Sequence, residues 1–284
     1  MDEEGSPSSN LNSSLNPAAV PYHPLRNSSS SVNFASQNPY YSNPNLARNN
    51  EFPQRYHHHH HHHHHHPYGH NQNFQDFDKF VVMDFEATCD EGKRINPIQE
   101  IIEFPSVIVD GRTGQLEDCF QTYVRPTING VLTDYCKDLT GIQQTQVDKG
   151  VSLSVALDEH DKWLESKGIK NSKFSVVTWG DWDCRTMLES ECRHKNIPKA
   201  PYFNRWINLK VPYSVVFGGA KTSNLEVAVE NAGLTWEGRP HCGLDDAKNT
   251  ARLLALIMQK GFKLSFTREL HTDSLHLPEN IFNG

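Results

Sequence analysis

Two acids stand two residues apart at the end of an apolar run: Asp84 and Glu86 follow Phe80-Val81-Val82-Met83. On a strand, side chains at i and i+2 leave from the same face, so these carboxylates are expected side by side, about 5 to 7 Å apart. Like charges that close, next to an apolar core, are costly unless a cation neutralises them. Hard divalent cations such as Mg²⁺ or Mn²⁺ take carboxylate oxygens, which makes the pair a candidate metal site. Taken alone, an Asp-x-Glu is more often a half-exposed strand whose acids face water. A third acid weighs against that. Asp183 follows a strand ending at Trp179 and opens a helix, at the carboxyl end of a strand, where open α/β folds place their sites. The competing reading is a first-turn acid favoured by the helix dipole, and Asp181 lies on the same turn. Finally, His241 and Asp246 stand five residues apart where the last helix begins. At about 1.5 Å rise per residue they reach one point if the chain bends at Gly243.

The elements that must position these groups read as follows. Phe80–Met83, with its β-branched members, is a strand buried on both faces. Ile101 to Val109 is a second strand, and Phe120, Tyr123 and Val124 mark a third that Pro126 ends. Short connections make the three an antiparallel meander. Leu153 to Gly168 is an amphipathic helix, residues 174–180 a buried strand, and Trp182 to Asn196 a second helix. Trp206–Leu209 is a short strand. The next helix is capped at Thr222 or Ser223, and the last runs from Leu244 to Lys260. Strands first, then alternating helices and strands, predict an α/β fold with a mixed sheet and helices on it.

Composition sets the frame. At roughly 150 residues per domain, 284 residues allow one or two. Residues 1–76 are dominated by Ser, Asn, Pro, Gln and His and bury too little apolar surface to offset ordering, so a disordered low-complexity tail is expected. Residues 77–267 then form one domain and 268–284 a short C-terminal tail. The run His57–His66 is read as a homopolymer tract that binds Zn²⁺ or Ni²⁺ weakly, without a catalytic role. A net charge of −7 argues against a broad basic surface for nucleic acid. It leaves open a nuclease whose bound metal reverses the local charge. Six cysteines without a C-x-x-C pair indicate neither zinc site nor disulfide framework. The acidic start Met-Asp-Glu-Glu lacks an apolar leader, and no run reaches membrane-spanning length. A cytoplasmic or nuclear location, away from membranes, is the expectation.

Asp-x-Glu on a first strand, a third Asp after a later strand, and His-x4-Asp opening a final helix together resemble the DEDDh 3′-to-5′ exonucleases. The resemblance covers residues 80 to about 265, with each element in the family's chain order. It is closer to one branch, the enhanced-RNAi or 3′ histone-mRNA exoribonucleases, through MDFEATCDEG, QEIIEFP, YVRP, LTGI, WIN and GRPHCGLDDAKNTAR. Animal members of that branch can carry an N-terminal SAP nucleic-acid-binding domain. The low-complexity tail stands in its place here, so a partner held through that domain is not carried over.

What the resemblance implies is an RNase H-like fold and a metal-dependent 3′-to-5′ exoribonuclease that releases 5′-mononucleotides. Asp84, Glu86, Asp183 and Asp246 would hold two Mg²⁺ or Mn²⁺ ions. Asp183 is preferred to Asp181 because Met187 and Leu188 then fit the family's hydrophobic pair, and the spacing from His241 prefers Asp246 to Asp245. His241 would take a proton from the attacking water, a task suited to an imidazole near neutral pH. Glu86 would also hydrogen-bond the terminal sugar, with the backbone at Ala87 and Thr88 and His241 against the last nucleotide. Among aromatics, Trp182 is a candidate for stacking on bases, whereas Phe85 and Trp206 are expected in the core. The partner is an RNA 3′ end, single-stranded or with a short overhang, and the tail offers protein or ribonucleoprotein contacts. A DNA-directed exonuclease of the same fold and a non-catalytic RNA-binding scaffold are the alternatives.

Overall fold

The apolar run that precedes Asp84 feeds two cores at once. In β1 (Lys79–Met83), Phe80 and Val82 pack into one cluster while Val81 and Met83 pack into the other, because alternate side chains of a strand leave opposite faces. A strand buried on both sides needs apolar residues at every position, and it has them. The computed structural model describes residues 75–218 and 224–270. The expected tail up to residue 74, the His run, the candidate caps Thr222 and Ser223, and the segment after residue 270 lie outside the described residues.

Six further strands join β1 in a mixed sheet: β2 (Glu86–Ala87), β3 (Ile101–Asp110), β4 (Leu116–Tyr123), β5 (Phe174–Thr178), β6 (Arg205–Asn208) and β7 (Arg268–Glu269). β1 and β4 each run antiparallel to β3, which confirms the expected meander. β5 lies parallel to β1 and β6 parallel to β5. β7 pairs antiparallel with β6, so the sheet extends past the boundary expected at residue 267. Parallel neighbours require crossovers, and helices supply them.

α1 (Asp134–Thr140) and α2 (Gln144–Asp148) are short and were not foreseen, since neither carries a full apolar period. Thr133 caps α1 by accepting from the Cys136 N–H, and Gly141 ends it at φ 77°. α3 (Leu153–Ser166) follows the predicted pattern and lays Leu153, Ala156, Leu157 and Leu164 on one core. After β5 comes a π-helical turn, Trp182–Leu188, continuing as α4 (Glu189–Lys195). α5 (Lys210–Val216) and α6 (Leu225–Asn231) precede α7 (Gly243–Gln259). Asn224 caps α6, its side chain accepting from the Val227 N–H, so the cap sits one residue beyond the expected Thr222 or Ser223. α7 covers the opposite face from α3, with Ala247, Ala251, Leu254 and Met258 in that core. Phe85 and Trp206 are core residues as expected, and Trp182 is 39% exposed. Among the described residues no helix is long and apolar enough to cross a membrane.

One buried polar residue makes the α3 core sensitive to acid. His160 has no exposed surface, stacks on Phe104 at 4.6 Å between centroids, and places Nε2 3.0 Å from Ser106 Oγ. Burial pushes its pKa down to about 3. Its stabilising contribution is therefore complete above the unfolded value near 6.5 and is lost as pH falls toward 3. At pH 5 the loss should be about 2 kcal/mol relative to pH 7. Urea unfolding of the wild type and His160→Gln at both pH values checks this: the variant should lose the same amount less on acidification. An identical pH response in the two proteins would remove His160 from the account.

Candidate active site

Asp84 lies in a break rather than within a strand. β1 ends at Met83, β2 begins at Glu86, and both run along the same edge of β3, with Met83 opposite Ser106 and Glu86 opposite Glu103. This corrects the continuous strand expected from the sequence. Phe85 turns inward against Phe104, centroids 4.8 Å apart, and its N–H donates to Asp183 Oδ1 at 2.9 Å. That bond ties the π-helical turn to the break. A π turn adds one residue to the helical repeat, a device that recurs at functional sites.

The neighbouring acids sort themselves by their partners. Asp181 Oδ1 accepts from Trp206 Nε1 at 3.2 Å and its Oδ2 from Arg268 Nε at 3.0 Å. It braces β6 and β7, and Asp183 is the acid aimed at Asp84. Asp245 accepts from the Arg239 N–H at 3.0 Å, whereas Asp246 Oδ2 accepts from the His241 N–H at 3.2 Å. Asp246 Oδ1 is buried without a protein partner. His241 is exposed and sits at φ 61°, the left-handed region that a residue with a Cβ seldom adopts. Glu86, His241 and Asp246 each offer a ligand atom within 4.8 Å of the others. Asp84 and Asp183 stand outside this triplet but within electrostatic range of it.

The electrostatics are those of crowded anions. Burial, then Asp183, Asp246, Glu86 and Glu103, hold the Asp84 carboxyl well above its usual range. Glu86 is raised by burial and then by Asp246, Glu103 and Asp183. Burial lifts Asp246 to about 7 and Asp183 to about 6, the latter against the Phe85 N–H and Lys210, which favour its charged form. Such a cluster is destabilising in the absence of cations. Its chemistry and the orphaned Asp246 oxygen fit a hard divalent metal, which takes carboxylate oxygens and offsets their repulsion.

Two residues near the site escaped sequence reading. Glu103, 1% exposed on β3, accepts from the Gly243 N–H. A charged residue inside the largely apolar run Ile101–Val109 was the available signal. Lys210 opens α5, lies 5.5 Å over the Trp179 ring, and feels Asp183, Asp181 and Asp84. No sequence signal marked it, because only the β5–β6 pairing brings it to Asp183. Among other basic residues, Lys93 pairs with Asp90, Arg239 donates to the Asp138 carbonyl, and Lys221 lies outside the described residues.

A sequence model of the RNase_T exonuclease family matches residues 81–254. The chain is 38% identical over 207 residues to human 3′-5′ exoribonuclease 1, an overlap of 72% of this chain and 59% of that protein. It is 42% identical over 190 residues to human ERI1 exoribonuclease 3, covering 66% of this chain and 56% of the relative. The chain thus spans just over half the length of these curated relatives. Among solved structures it superposes on the nuclease domain of 3′hExo, a DEDDh family member bound to rAMP, with TM-score 0.66 and 37% identity, over 69% of this chain and 98% of that one. A 3′-exonuclease in a structure of 3′-end-specific recognition of the histone mRNA stem-loop gives TM-score 0.69 at 35% identity, over 72% and 71%. The chain belongs to the DEDDh branch of the exonuclease family, with its RNase H-like fold.

Proposed function

We propose that this protein is a metal-dependent 3′-to-5′ exoribonuclease that releases 5′-mononucleotides from RNA 3′ ends. The observation that supports it is the convergence of four carboxylates and one exposed imidazole where β1 and β5 end. Asp84, Glu86, Asp183 and Asp246 would hold two divalent ions, Mg²⁺ or Mn²⁺. Ions bound there supply the positive charge that lets an anionic phosphodiester accept an oxygen nucleophile and release a 3′-oxygen.

The chain's own groups do the rest. His241, exposed at the rim, takes the proton from the attacking water. Its backbone N–H, bonded to Asp246, keeps the imidazole in register with the acids. Glu86 has a second task at the terminal ribose, where a contact to the 2′-hydroxyl would favour RNA. Ala87 and Thr88 line the place of the last nucleotide. Thr88 spends its N–H and hydroxyl on the backbone of Glu100 and its carbonyl on Gln99, so that wall is rigid. Trp182 presents a ring for base stacking beside Asp183, and Lys210 is an ammonium available to a backbone phosphate. The segment through residue 76 serves protein or ribonucleoprotein contacts, and a cytoplasmic or nuclear location suits an RNA substrate.

The test is the purified chain with 5′-labelled single-stranded RNA and Mg²⁺ or Mn²⁺, beside a matched DNA strand. A ladder shortening one nucleotide at a time on RNA, abolished by EDTA, is the expected result. Equal shortening of the DNA would return the DNA-directed reading, and binding without cleavage would return the scaffold.

A further inference from the structure

α7 follows directly on His241 and carries Asp246 in its first turn, and the weakly accepting Cys242 thiol before it faces at most the Asp245 N–H, leaving the Gly243 N–H to another partner. A carboxylate from another element fills that role. Glu103 Oε2 accepts from the Gly243 N–H at 3.1 Å, the Leu244 N–H also favours its charged form, and Gln121 Nε2 on β4 donates to Oε1 at 2.6 Å. Gly243 is wedged in place. A Cβ there would approach the Asp84 carbonyl oxygen to 2.7 Å and Glu103 Oε2 to 3.2 Å. Glu103 is also the β3 residue directly opposite Glu86.

We propose that Glu103 is a positioning residue for the metal-holding cluster, its carboxylate clamping the start of α7 so that His241 and Asp246 face Asp84 and Glu86. The inference rests on the reading of that cluster as a nuclease site. The choice of residue is what stability alone does not explain. A serine or aspartate at position 242 would cap the helix locally and from a more exposed place. The chain instead buries a fifth carboxylate among four others and reaches 140 residues across the sequence to make the bond. A negative group there adds to the attraction for cations, and carboxylates just behind the ligands orient them and set their affinity. Glu103 does both from one side chain, with Gln121 fixing its rotamer.

The test compares the full-length wild type with Glu103→Ala, Glu103→Asp and Glu103→Gln in three measurements. These are Mn²⁺ affinity by calorimetry without RNA, kcat and KM on RNA, and the melting temperature in chelator. Glu103→Ala should weaken Mn²⁺ binding about tenfold and lower kcat about 10- to 100-fold, with KM for RNA unchanged. Glu103→Gln keeps one oxygen for the Gly243 N–H, and its amide can donate to a flipped Gln121, so it should recover most of the kcat loss, while Mn²⁺ binding, without the negative charge, stays weaker than wild type. Glu103→Asp keeps the charge but withdraws it by one methylene, and it should behave like the alanine variant. This third protein carries the test if Glu103→Ala does not fold. Mn²⁺ affinity and kcat equal to wild type in the folded variants, with only the melting temperature lowered, would make Glu103 a plain helix cap and overturn the proposal. A wild type that binds Mn²⁺ but leaves RNA intact would sink the exoribonuclease reading instead, and the Mn²⁺ arm would still judge Glu103.

Discussion

Replacing Asp84 by Asn should lower RNA hydrolysis by about 10³-fold or more, since several kcal/mol of charge stabilisation depend on the metal ligands. The same substitution should stabilise the metal-free protein. Asp84 is held well above its usual carboxylate range, by burial first and then by Asp183, Asp246, Glu86 and Glu103. A carboxyl raised in the folded state keeps its proton there longer than in the unfolded chain. The folded state is therefore favoured at low pH and loses that advantage as pH rises from about 4 through the raised value. Asn removes the charge altogether. In chelator at pH 7.5 the variant should melt above wild type, each kcal/mol recovered moving the midpoint by about 2–4 °C. The gap should narrow as pH is lowered and the wild-type carboxyl takes up its own proton. Added Mn²⁺ should reverse the order, because a ligand that binds only the folded state stabilises it by mass action. A variant that melts below wild type in chelator at pH 7.5 would mean that Asp84 is held by attractions rather than crowded by like charges.

His241→Ala should cost about 10²- to 10⁴-fold in kcat, the range for loss of a positioned general base. RNA binding and Mn²⁺ affinity should stay close to wild type, because the carboxylates hold the metal. A second variant separates the imidazole's chemistry from its backbone. His241 sits at φ 61°, and a residue with a Cβ in that region is strained by about 1–2 kcal/mol. His241→Gly should be as inactive as His241→Ala yet more stable than it by about 1 kcal/mol. Strain kept at a reactive residue is consistent with a backbone held by its surroundings, here the bonds of Asp246 to the His241 N–H and of Asp245 to the Arg239 N–H. Single-turnover kinetics, filter binding and melting curves separate the three effects. A His241→Ala protein retaining more than about a tenth of wild-type kcat would place the general base elsewhere.

Much of this molecule was legible in its residues. The run Phe80–Met83 announced a strand buried on both faces, and α3 and α7 announced themselves by apolar residues at helical spacing. For those elements local pattern and tertiary burial agree. The convergence of the acids and the histidine was legible for a similar reason: their offsets from strand and helix ends survive in the linear order. Short elements were not. α1 and α2 are held by caps and neighbours more than by periodicity, and β2 exists only because β3 offers it an edge. Spacing preferred Asp183 to Asp181 and Asp246 to Asp245, but it could not show what holds the two rejected acids. Asp181 is held by Trp206 and Arg268 from other stretches of chain, and Asp245 by the Arg239 N–H across the turn that leads into α7.

By itself, then, the sequence determined which groups were available for chemistry and which strands and helices would carry them, because strand alternation and helical period are local rules. The tertiary structure alone decided which carboxylates meet, how far their proton affinities rise, and that Glu103 and Lys210 stand beside them. Those are consequences of distance and burial between residues as much as 140 positions apart, and no local rule encodes them.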